Sequence, residues 1–266
     1  MLVDGKQIAD EIYATLKKER EGLARPPRLG IVVGVQDAAT EAYVHMKEKV
    51  AAQLYVEVRK EVLSADTTTE RAINVVNDLC RTQTGVIVQL PLPMGIDVHT
   101  VLSAVSALRD VDGLNPEVKE FQRLVRAPIA ETIAEILTRM NADIRGTKAV
   151  VVGAGMLVGI PAANLLRSRG AKVTVVTLDQ GSLEELSDAD VVVLGAGSPG
   201  LVKPEMLKKG VILIDAGTSE QGGKLFGDAT PECAEVASIF TPVPGGVGPI
   251  TIAMLFKNLF ELSRRQ

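Results

Sequence analysis

The sequence of 266 residues contains few of the side chains that build metal centres and disulfide frameworks. It has no tryptophan, two histidines and two cysteines, Cys80 and Cys233, which stand far apart. Two histidines exclude a histidine-rich metal centre, and two distant cysteines without paired spacing indicate neither a disulfide scaffold nor a zinc site. We therefore expect no bound metal. The cysteine usage is typical of a protein of the reducing cytoplasm.

The sequence also lacks an uninterrupted apolar run and a block of like charges. Its longest apolar stretches are broken by glycine and proline, so none predicts a membrane span. The N-terminus mixes both signs of charge and does not have the pattern of a signal peptide. A net charge of −4 argues against a nucleic-acid surface and a polybasic membrane patch. We expect neither nucleic acid nor a membrane as a partner.

Helix-like and strand-like segments alternate along the chain. This order indicates βαβ units and mostly parallel sheets, so we predict an α/β fold. The length favours two domains. We place an N-terminal catalytic α/β domain at 1–128 and a Rossmann-like dinucleotide-binding domain at 129–248. The C-terminal helix, 249–266, is predicted to return to the first domain and complete it. Helices within the first domain are predicted at 5–23, 38–53, 67–81 and 97–108.

A glycine-rich turn follows the strand pattern that opens the second domain. In "VVVGAGMLVG", Gly153, Gly155 and Gly159 stand between a buried strand and the start of a helix. Such glycines close the turn, admit the backbone to a pyrophosphate and let helix pack on strand. The helix N-terminus offers free N–H groups to the phosphates. We assign Ala154 and Met156, which lie within the turn, to the same cofactor-binding segment.

Asp179 follows the next strand pattern, 20 residues after Gly159. A carboxylate at this position accepts hydrogen bonds from ribose hydroxyls and repels a 2′-phosphate. The alternative is that Asp179 caps the helix that follows.

Three further segments carry polar side chains that suit chemistry. Tyr43 and Lys47 stand four residues apart on a predicted helix, so their side chains share one face of it. A lysine that is desolvated beside a tyrosine has a shifted pKa and can accept and donate protons. The alternative is an exposed lysine beside Lys49, with Tyr43 as a core anchor.

Gln89 ends a strand before a proline-rich loop and can donate and accept hydrogen bonds there. The alternative is that Gln89 is an ordinary polar loop residue. Asp112, in "RDVDGL", suits a planar ring that carries an amino group, although turn chemistry also explains it.

Taken together, these segments resemble bifunctional methylenetetrahydrofolate dehydrogenase/cyclohydrolase almost from end to end. The resemblance implies that Lys47 is catalytic, that Tyr43 stacks on the folate, that Gln89 tunes the lysine and that Asp112 holds the pterin ring. It also implies that relatives are homodimers. The matching motifs are "YVHMKEK", "GVIVQLPLP", "RDVDGL", "VVVGAGMLVGIP", "GVILIDAG", the "GD" at 227–228 and "TPVPGGVGPIT".

The resemblance assigns two more segments to binding. The loop that contains Pro244, Gly245 and Gly246 is expected to border the cleft between the domains and to contact the folate. Because glycine has no side chain, the backbone of this loop could approach the planar ring of a ligand closely. Thr218, after the strand pattern "GVILIDAG", is assigned to the cofactor.

The chain departs from the family pattern in the turn. Gly155 replaces a serine, Ala154 and Ile160 leave no arginine there, and Leu178 stands where a polar side chain often meets a 2′-phosphate. Together with Asp179, these changes favour NAD over NADP. Three more segments that depart from the pattern, "LNPEVKEF", "APIAET" and "DAGTS", lie at 114–121, 127–132 and 215–219.

We therefore expect oxidation of 5,10-methylenetetrahydrofolate with NAD or NADP, followed by hydrolysis of the methenyl product to 10-formyltetrahydrofolate. The departures keep open a protein with one of these activities, or a dehydrogenase of the same fold that acts on another small substrate. A nucleotide-binding sensor without catalysis is a third alternative, and Lys47 and Gln89 argue against it.

Overall fold

The computed structural model describes residues 1–35, 38–177 and 179–266, and the chain forms two compact units. The three-stranded unit contains residues 11–128 and 255–266, and the five-stranded unit contains residues 1–10 and 129–254. The predicted domain ranges differ from these units at two places, because residues 1–10 and 249–254 belong to the five-stranded unit. The predicted α/β fold with parallel sheets is confirmed.

The three-stranded unit is built on a parallel sheet in the order β2-β1-β3. The central strand is buried almost throughout, while the edge strand β2 consists mostly of charged residues and is largely exposed. Apolar side chains of α3 and α4 pack on β1 and β3 and form the core of this unit. Its elements are α1 (Gly5–Glu21, shared with the other unit), β1 (Arg28–Val33), α2 (Ala38–Gln53), β2 (Glu57–Val62), α3 (Thr69–Thr82), β3 (Gly85–Gln89) and α4 (Val98–Ser103).

Helix α4 is shorter than the pattern predicts, since it ends at Ser103 and not at residue 108. The side-chain amide of Asn115 donates to the carbonyls of Ser103 and Val105, at 3.2 and 2.7 Å. These carbonyls are therefore satisfied by a distant side chain, and the backbone turns towards Asp110. Asp110 pairs with Val86 in an isolated parallel bridge beside β3.

The five-stranded unit has a parallel sheet in the order β10-β7-β6-β4-β5. Valine-rich strands β4 and β6 are central and buried, as expected for a sheet covered on both faces. Its elements are α5 (Pro128–Arg139), β4 (Lys148–Val152), α6 (Gly159–Ser168), β5 (Lys172–Val176), β6 (Val191–Leu194), β7 (Ile212–Asp215), the hairpin β8 (Ser219–Gln221) and β9 (Lys224–Phe226), β10 (Ile239–Phe240) and α7 (Val247–Ser263).

The N-terminus lies beside β10. The N–H of Val3 donates to the carbonyl of Phe240 at 2.9 Å, and the N–H of Phe240 donates to the carbonyl of Met1 at 3.0 Å. These bonds explain why the first residues belong to the five-stranded unit. Helix α7 contributes its first half to this unit and its second half to the three-stranded unit. In the described ranges, no helix combines the length and apolarity needed to cross a membrane.

Candidate active site

Lys47 lies on α2 and points towards the end of β3. Its Nζ donates to Oε1 of Gln89 at 2.7 Å. Burial lowers the pKa of the Lys47 ammonium below its ordinary value, and the nearby charge of Asp112 opposes that change. Lys49 is exposed, so the alternative of a solvated lysine describes Lys49 and not Lys47. Tyr43, one helical turn before Lys47, is half-buried.

Gln89 is the last residue of β3, at the carboxyl edge of the sheet. Its Nε2 donates to the carbonyl of Leu90 at 3.0 Å, which leaves Oε1 facing the ammonium of Lys47. The proline-rich loop that follows packs on the backbone after β1. A Cβ on Gly34 would lie 2.8 Å from the carbonyl oxygen of Pro91, and the N–H of Val35 donates to that oxygen. Gln89 therefore stands on a tightly packed support.

Asp112 follows the bridge between Asp110 and Val86. Burial raises the pKa of the Asp112 carboxyl to about 6. The ammonium of Lys47 opposes this increase, and the carboxylate of Asp110 adds to it. The structure thus brings Lys47, Gln89 and Asp112 into one cluster.

This cluster holds an amine and a carboxyl group whose pKa values move towards each other. Desolvation favours the neutral form of both groups, while their mutual attraction favours the charged forms. Such groups exchange protons near neutral pH more readily than ordinary lysine and aspartate do. The cluster is therefore suited to acid–base chemistry on a ligand at the carboxyl edge of this sheet.

The glycine-rich turn of the five-stranded unit joins β4 to α6. Gly153 has φ +101°, and a Cβ there would meet the carbonyl oxygen of Gly195 at 2.5 Å. A Cβ on Gly159 would overlap the carbonyl oxygen of Gly153 at 2.0 Å. A Cβ on Gly155, by contrast, would meet no atom within 4 Å among the residues that the structure describes. The turn therefore has the close packing and the open side that a pyrophosphate cradle requires, with Ala154 and Met156 exposed on it.

Asp179 lies in the turn after β5, the strand that pairs with β4. This turn is closed by Thr177, whose N–H donates to the carbonyl of Gln180 at 2.8 Å. Asp179 is exposed. It does not cap the next helix, because Ser182 is the N-cap there and accepts from the N–H of Glu184. Leu178 lies outside the described residues.

Two buried carboxylates organise the loops after β6 and β7. Asp228 accepts hydrogen bonds from the N–H groups of Ala196, Gly197 and Ser198, at 2.7, 3.1 and 2.7 Å. Sequence reasoning matched the Gly227-Asp228 pair to the family but gave it no role. Three consecutive N–H groups facing one carboxylate fix the path of the loop beside the glycine turn.

Asp215 ends β7 and accepts from the N–H groups of Gly217, Asp228 and Ala229, at 3.0, 3.2 and 2.8 Å. Burial raises the pKa of Asp215 to about 6, and these N–H groups oppose the increase. Thr218 follows in the same loop and is exposed, while Oγ of Ser219 donates to the carbonyl of Gly197 at 3.0 Å. The "DAGTS" segment is thus joined to the loop after β6.

The loop before α7 is packed against the start of α1. The N–H of Gly5 donates to the carbonyl of Gly245 at 2.9 Å, and a Cβ on Gly5 would overlap the carbonyl oxygen of Gly246. Pro244 and Gly245 are exposed, whereas Gly246 is buried. All three lie in the five-stranded unit. The residues that the structure describes contain no cluster of metal-ligating side chains.

Comparison with known proteins accounts for both halves of the chain. Residues 3–112 match the family Tetrahydrofolate dehydrogenase/cyclohydrolase, catalytic domain. Residues 127–266 match the family Tetrahydrofolate dehydrogenase/cyclohydrolase, NAD(P)-binding domain.

Relatives of known sequence and structure match over nearly their whole length. The bifunctional protein FolD of Halothermothrix orenii is 44% identical over 274 residues, covering 97% of this chain and 95% of that protein. The structure of the Trypanosoma brucei methylenetetrahydrofolate dehydrogenase-cyclohydrolase, in complex with NADP and an inhibitor, superposes with a TM-score of 0.93 at 33% identity and covers 100% and 97% of the two chains. The Campylobacter jejuni FolD structure gives a TM-score of 0.93 at 29% identity and covers 100% and 99%. The chain belongs to the tetrahydrofolate dehydrogenase/cyclohydrolase family.

Proposed function

We propose that this chain oxidises 5,10-methylenetetrahydrofolate with NAD and hydrolyses the 5,10-methenyl product to 10-formyltetrahydrofolate. The observation that carries the proposal is the cluster of Lys47, Gln89 and Asp112, built around an amine whose pKa is lowered by burial. The glycine turn after β4 supplies the second requirement, a cradle for the dinucleotide.

Lys47 serves the hydrolytic step. The methenyl carbon is a cation, so water attacks it without a metal, and the attack releases a proton. The neutral amine of Lys47 accepts that proton and returns it as the ring C–N bond breaks, which yields the formyl group. Gln89 holds one N–H of the lysine and thereby sets the direction of its lone pair.

Asp112 serves binding. With a pKa of about 6, its carboxyl group exchanges between an acceptor and a donor near neutral pH. A pterin ring presents an amino group beside a ring nitrogen, and a carboxyl group pairs with both through two hydrogen bonds. Tyr43, on the same helix as Lys47, supplies an aromatic face for the ring.

The dinucleotide fits the glycine turn because Gly155 leaves the approach open and the N-terminus of α6 follows it. A bound nicotinamide would supply the hydride acceptor for the one-carbon bridge of the folate. The chain contributes alignment of the two rings to this step. We assign Thr218, and Pro244 to Gly246, to ligand contact from the family resemblance, and Thr218, Pro244 and Gly245 are exposed.

NAD is the proposed cofactor rather than NADP. Asp179 is exposed beside β5 and would repel a 2′-phosphate. Ile160, at the start of α6, is 51% exposed and offers an apolar side chain where an arginine would neutralise that phosphate. Titration of both cofactors at one folate concentration tests this choice, and a lower KM for NADP would overturn it.

The activity itself is tested with the purified protein and 5,10-methylenetetrahydrofolate. We expect absorbance of the reduced nicotinamide to appear with NAD, and added 5,10-methenyltetrahydrofolate to disappear faster than in buffer. Loss of one signal with the other intact would reduce the proposal to a single activity. Loss of both, with NAD still bound, would favour a nucleotide-binding protein without folate chemistry.

We also infer a homodimer in the cytoplasm. The hairpin of β8 and β9 exposes Leu225 and Phe226 at 43% and 41%, a surface that suits a second copy. The free thiols of Cys80 and Cys233 fit a reducing compartment. Sedimentation velocity should give twice the chain mass, and Phe226→Lys should shift the equilibrium towards monomer. A wild-type monomer would contradict the inference.

A further inference from the structure

Asn258 is a buried polar residue in the second half of α7 that the reaction described above does not use. It is 6% exposed, and Phe256 and Leu259, close to it in the helix sequence, are fully buried. Its Nδ2 donates two hydrogen bonds, to the carbonyl of Val111 at 2.9 Å and to the carbonyl of Arg126 at 2.8 Å. Both hydrogens of the amide nitrogen therefore have backbone acceptors.

The first acceptor is the carbonyl that immediately precedes Asp112. Because this oxygen belongs to the peptide group that joins Val111 to Asp112, Asn258 fixes the orientation of the backbone that enters Asp112. Without a donor, the carbonyl would be buried and unsatisfied, which favours rotation of that peptide. The pterin-binding carboxyl group depends on this backbone for its direction.

The backbone after Asp112 is held by Arg123. Its guanidinium donates to the carbonyl of Gly113, and its Nη2 donates to the carbonyl of Asn115 at 2.9 Å. Asp112 thus lies between two anchored peptide groups, one held from α7 and one held from within its own loop.

The second acceptor of Asn258 belongs to the segment that packs directly on this loop. Gly113 has φ +60°, and a Cβ there would lie 3.0 Å from the carbonyl oxygen of Val125 and 3.1 Å from the N–H nitrogen of Ala127. One amide of α7 therefore bridges residues 111–113 to residues 125–127, and fixes the separation of these two segments.

We propose that Asn258 is a positioning residue that acts through Asp112 to set the affinity for folate, an inference that rests on the proposed function. Asparagine suits this task because it places two donors on one nitrogen. Aspartate at this position would place a carboxylate against two carbonyl oxygens, and because all of these groups are acceptors, no hydrogen bond would form. Leucine has a similar size and no donor.

The test compares Asn258→Leu and Asn258→Asp with Lys257→Leu, a control at the exposed neighbouring position on α7. We expect the KM for 5,10-methylenetetrahydrofolate to rise about tenfold or more in both Asn258 variants, since small displacements of a binding group have effects of this order. The KM for NAD should remain within about twofold, and Lys257→Leu should leave both values unchanged. Should Asn258→Leu fail to fold because leucine is bulkier than asparagine, Asn258→Ser, whose side chain is smaller and has at most one donor, is measured in the same way.

A double-mutant cycle with Asp112→Asn separates positioning from a general loss of stability. If Asn258 acts through Asp112, the second substitution adds little to the folate KM of the first. Fully additive effects, an equal rise in the KM for NAD, or an unchanged folate KM would each overturn the proposal. A wild-type protein that does not turn over folate would instead refute the proposed function.

Discussion

Asp112 and Asp215 are carboxyl groups with the same raised pKa, about 6, and with different surroundings. Asp215 is 1% exposed and accepts three backbone N–H groups. Asp112 keeps part of its surface exposed and has the ammonium of Lys47 as its charged neighbour. The first arrangement holds a loop in place, and the second leaves the carboxyl group able to meet a ligand.

The comparison shows that a perturbed pKa does not by itself identify a reactive group. Burial raises both values, and the neighbours decide the role. A carboxylate whose oxygens are occupied by backbone N–H groups has little capacity left for a substrate. A carboxyl group beside a buried amine, such as Asp112 beside Lys47, can exchange protons with a ligand that binds next to it.

The largest effect on the stability of the fold is expected from removal of a carboxylate that accepts backbone hydrogen bonds. Asp228→Ala leaves the N–H groups of Ala196, Gly197 and Ser198 without their acceptor. We expect the free energy of unfolding, measured in urea, to fall by about 3 kcal/mol or more, at roughly 1 kcal/mol for each stranded group. Glu205→Ala, an exposed control in the same unit, should stay within about 0.5 kcal/mol. Equal effects of the two variants would show that the loop does not depend on Asp228.

An effect of at most the same size is expected from titration of Asp215. Its folded-state pKa, about 6, lies above the ordinary value of 3.8, so the folded protein binds the proton more tightly than the unfolded chain. This contribution to stability is fully present below pH 3.8 and is lost as the pH rises through about 6. Two pK units correspond to about 3 kcal/mol. Asp215→Asn should remove this part of the pH dependence.

The control for that measurement is Asp66→Asn, at an exposed position. It should leave the pH dependence between pH 4 and 7 as in the wild type. A profile for Asp215→Asn that parallels the wild type would contradict the assignment.

The smallest effect is a shift in a pH–rate profile. The carboxylate of Asp112 raises the pKa of Lys47 against the larger influence of burial. Asp112→Asn removes this attraction, so the pKa of Lys47 should fall further. Hydrolysis that requires the neutral amine should then reach its plateau at a lower pH. A plateau displaced to higher pH would mean that Asp112 and Lys47 do not interact in this way.

Much of the fold follows from local sequence pattern. The buried strands, the helix over 38–53 and the turn around Gly153 are visible as short apolar runs, helical spacing and glycine positions. The three residues of the lysine cluster were also singled out in the sequence, Lys47 by its helical spacing from Tyr43, Gln89 by its place at a strand end and Asp112 by the "RDVDGL" segment. Their roles came from the family resemblance, and those in catalysis stay predictions.

The features that sequence reasoning missed depend on partners far away in the chain. Asn258 meets Val111, and Val3 pairs with Phe240, across more than a hundred residues. Asn115 ends α4 through a side-chain contact that no helical period reveals. In the sequence, Asp228 is an ordinary polar loop residue, and its role becomes visible only in the structure, where three backbone N–H groups donate to its carboxylate. A local sequence pattern predicts the structure of one segment, whereas these hydrogen bonds join two segments that are far apart in the sequence.

Hydrolysis of 5,10-methenyltetrahydrofolate by Lys47→Met, measured beside Lys49→Met, decides whether Lys47 is the acid–base group of the reaction. Methionine keeps the length of the lysine and removes its proton chemistry, and Lys49 is the exposed lysine two residues along the same helix. We predict that Lys47→Met loses hydrolysis by a factor on the order of 10² to 10⁴ and still binds folate, while Lys49→Met retains wild-type rates. Normal hydrolysis by Lys47→Met would contradict the account.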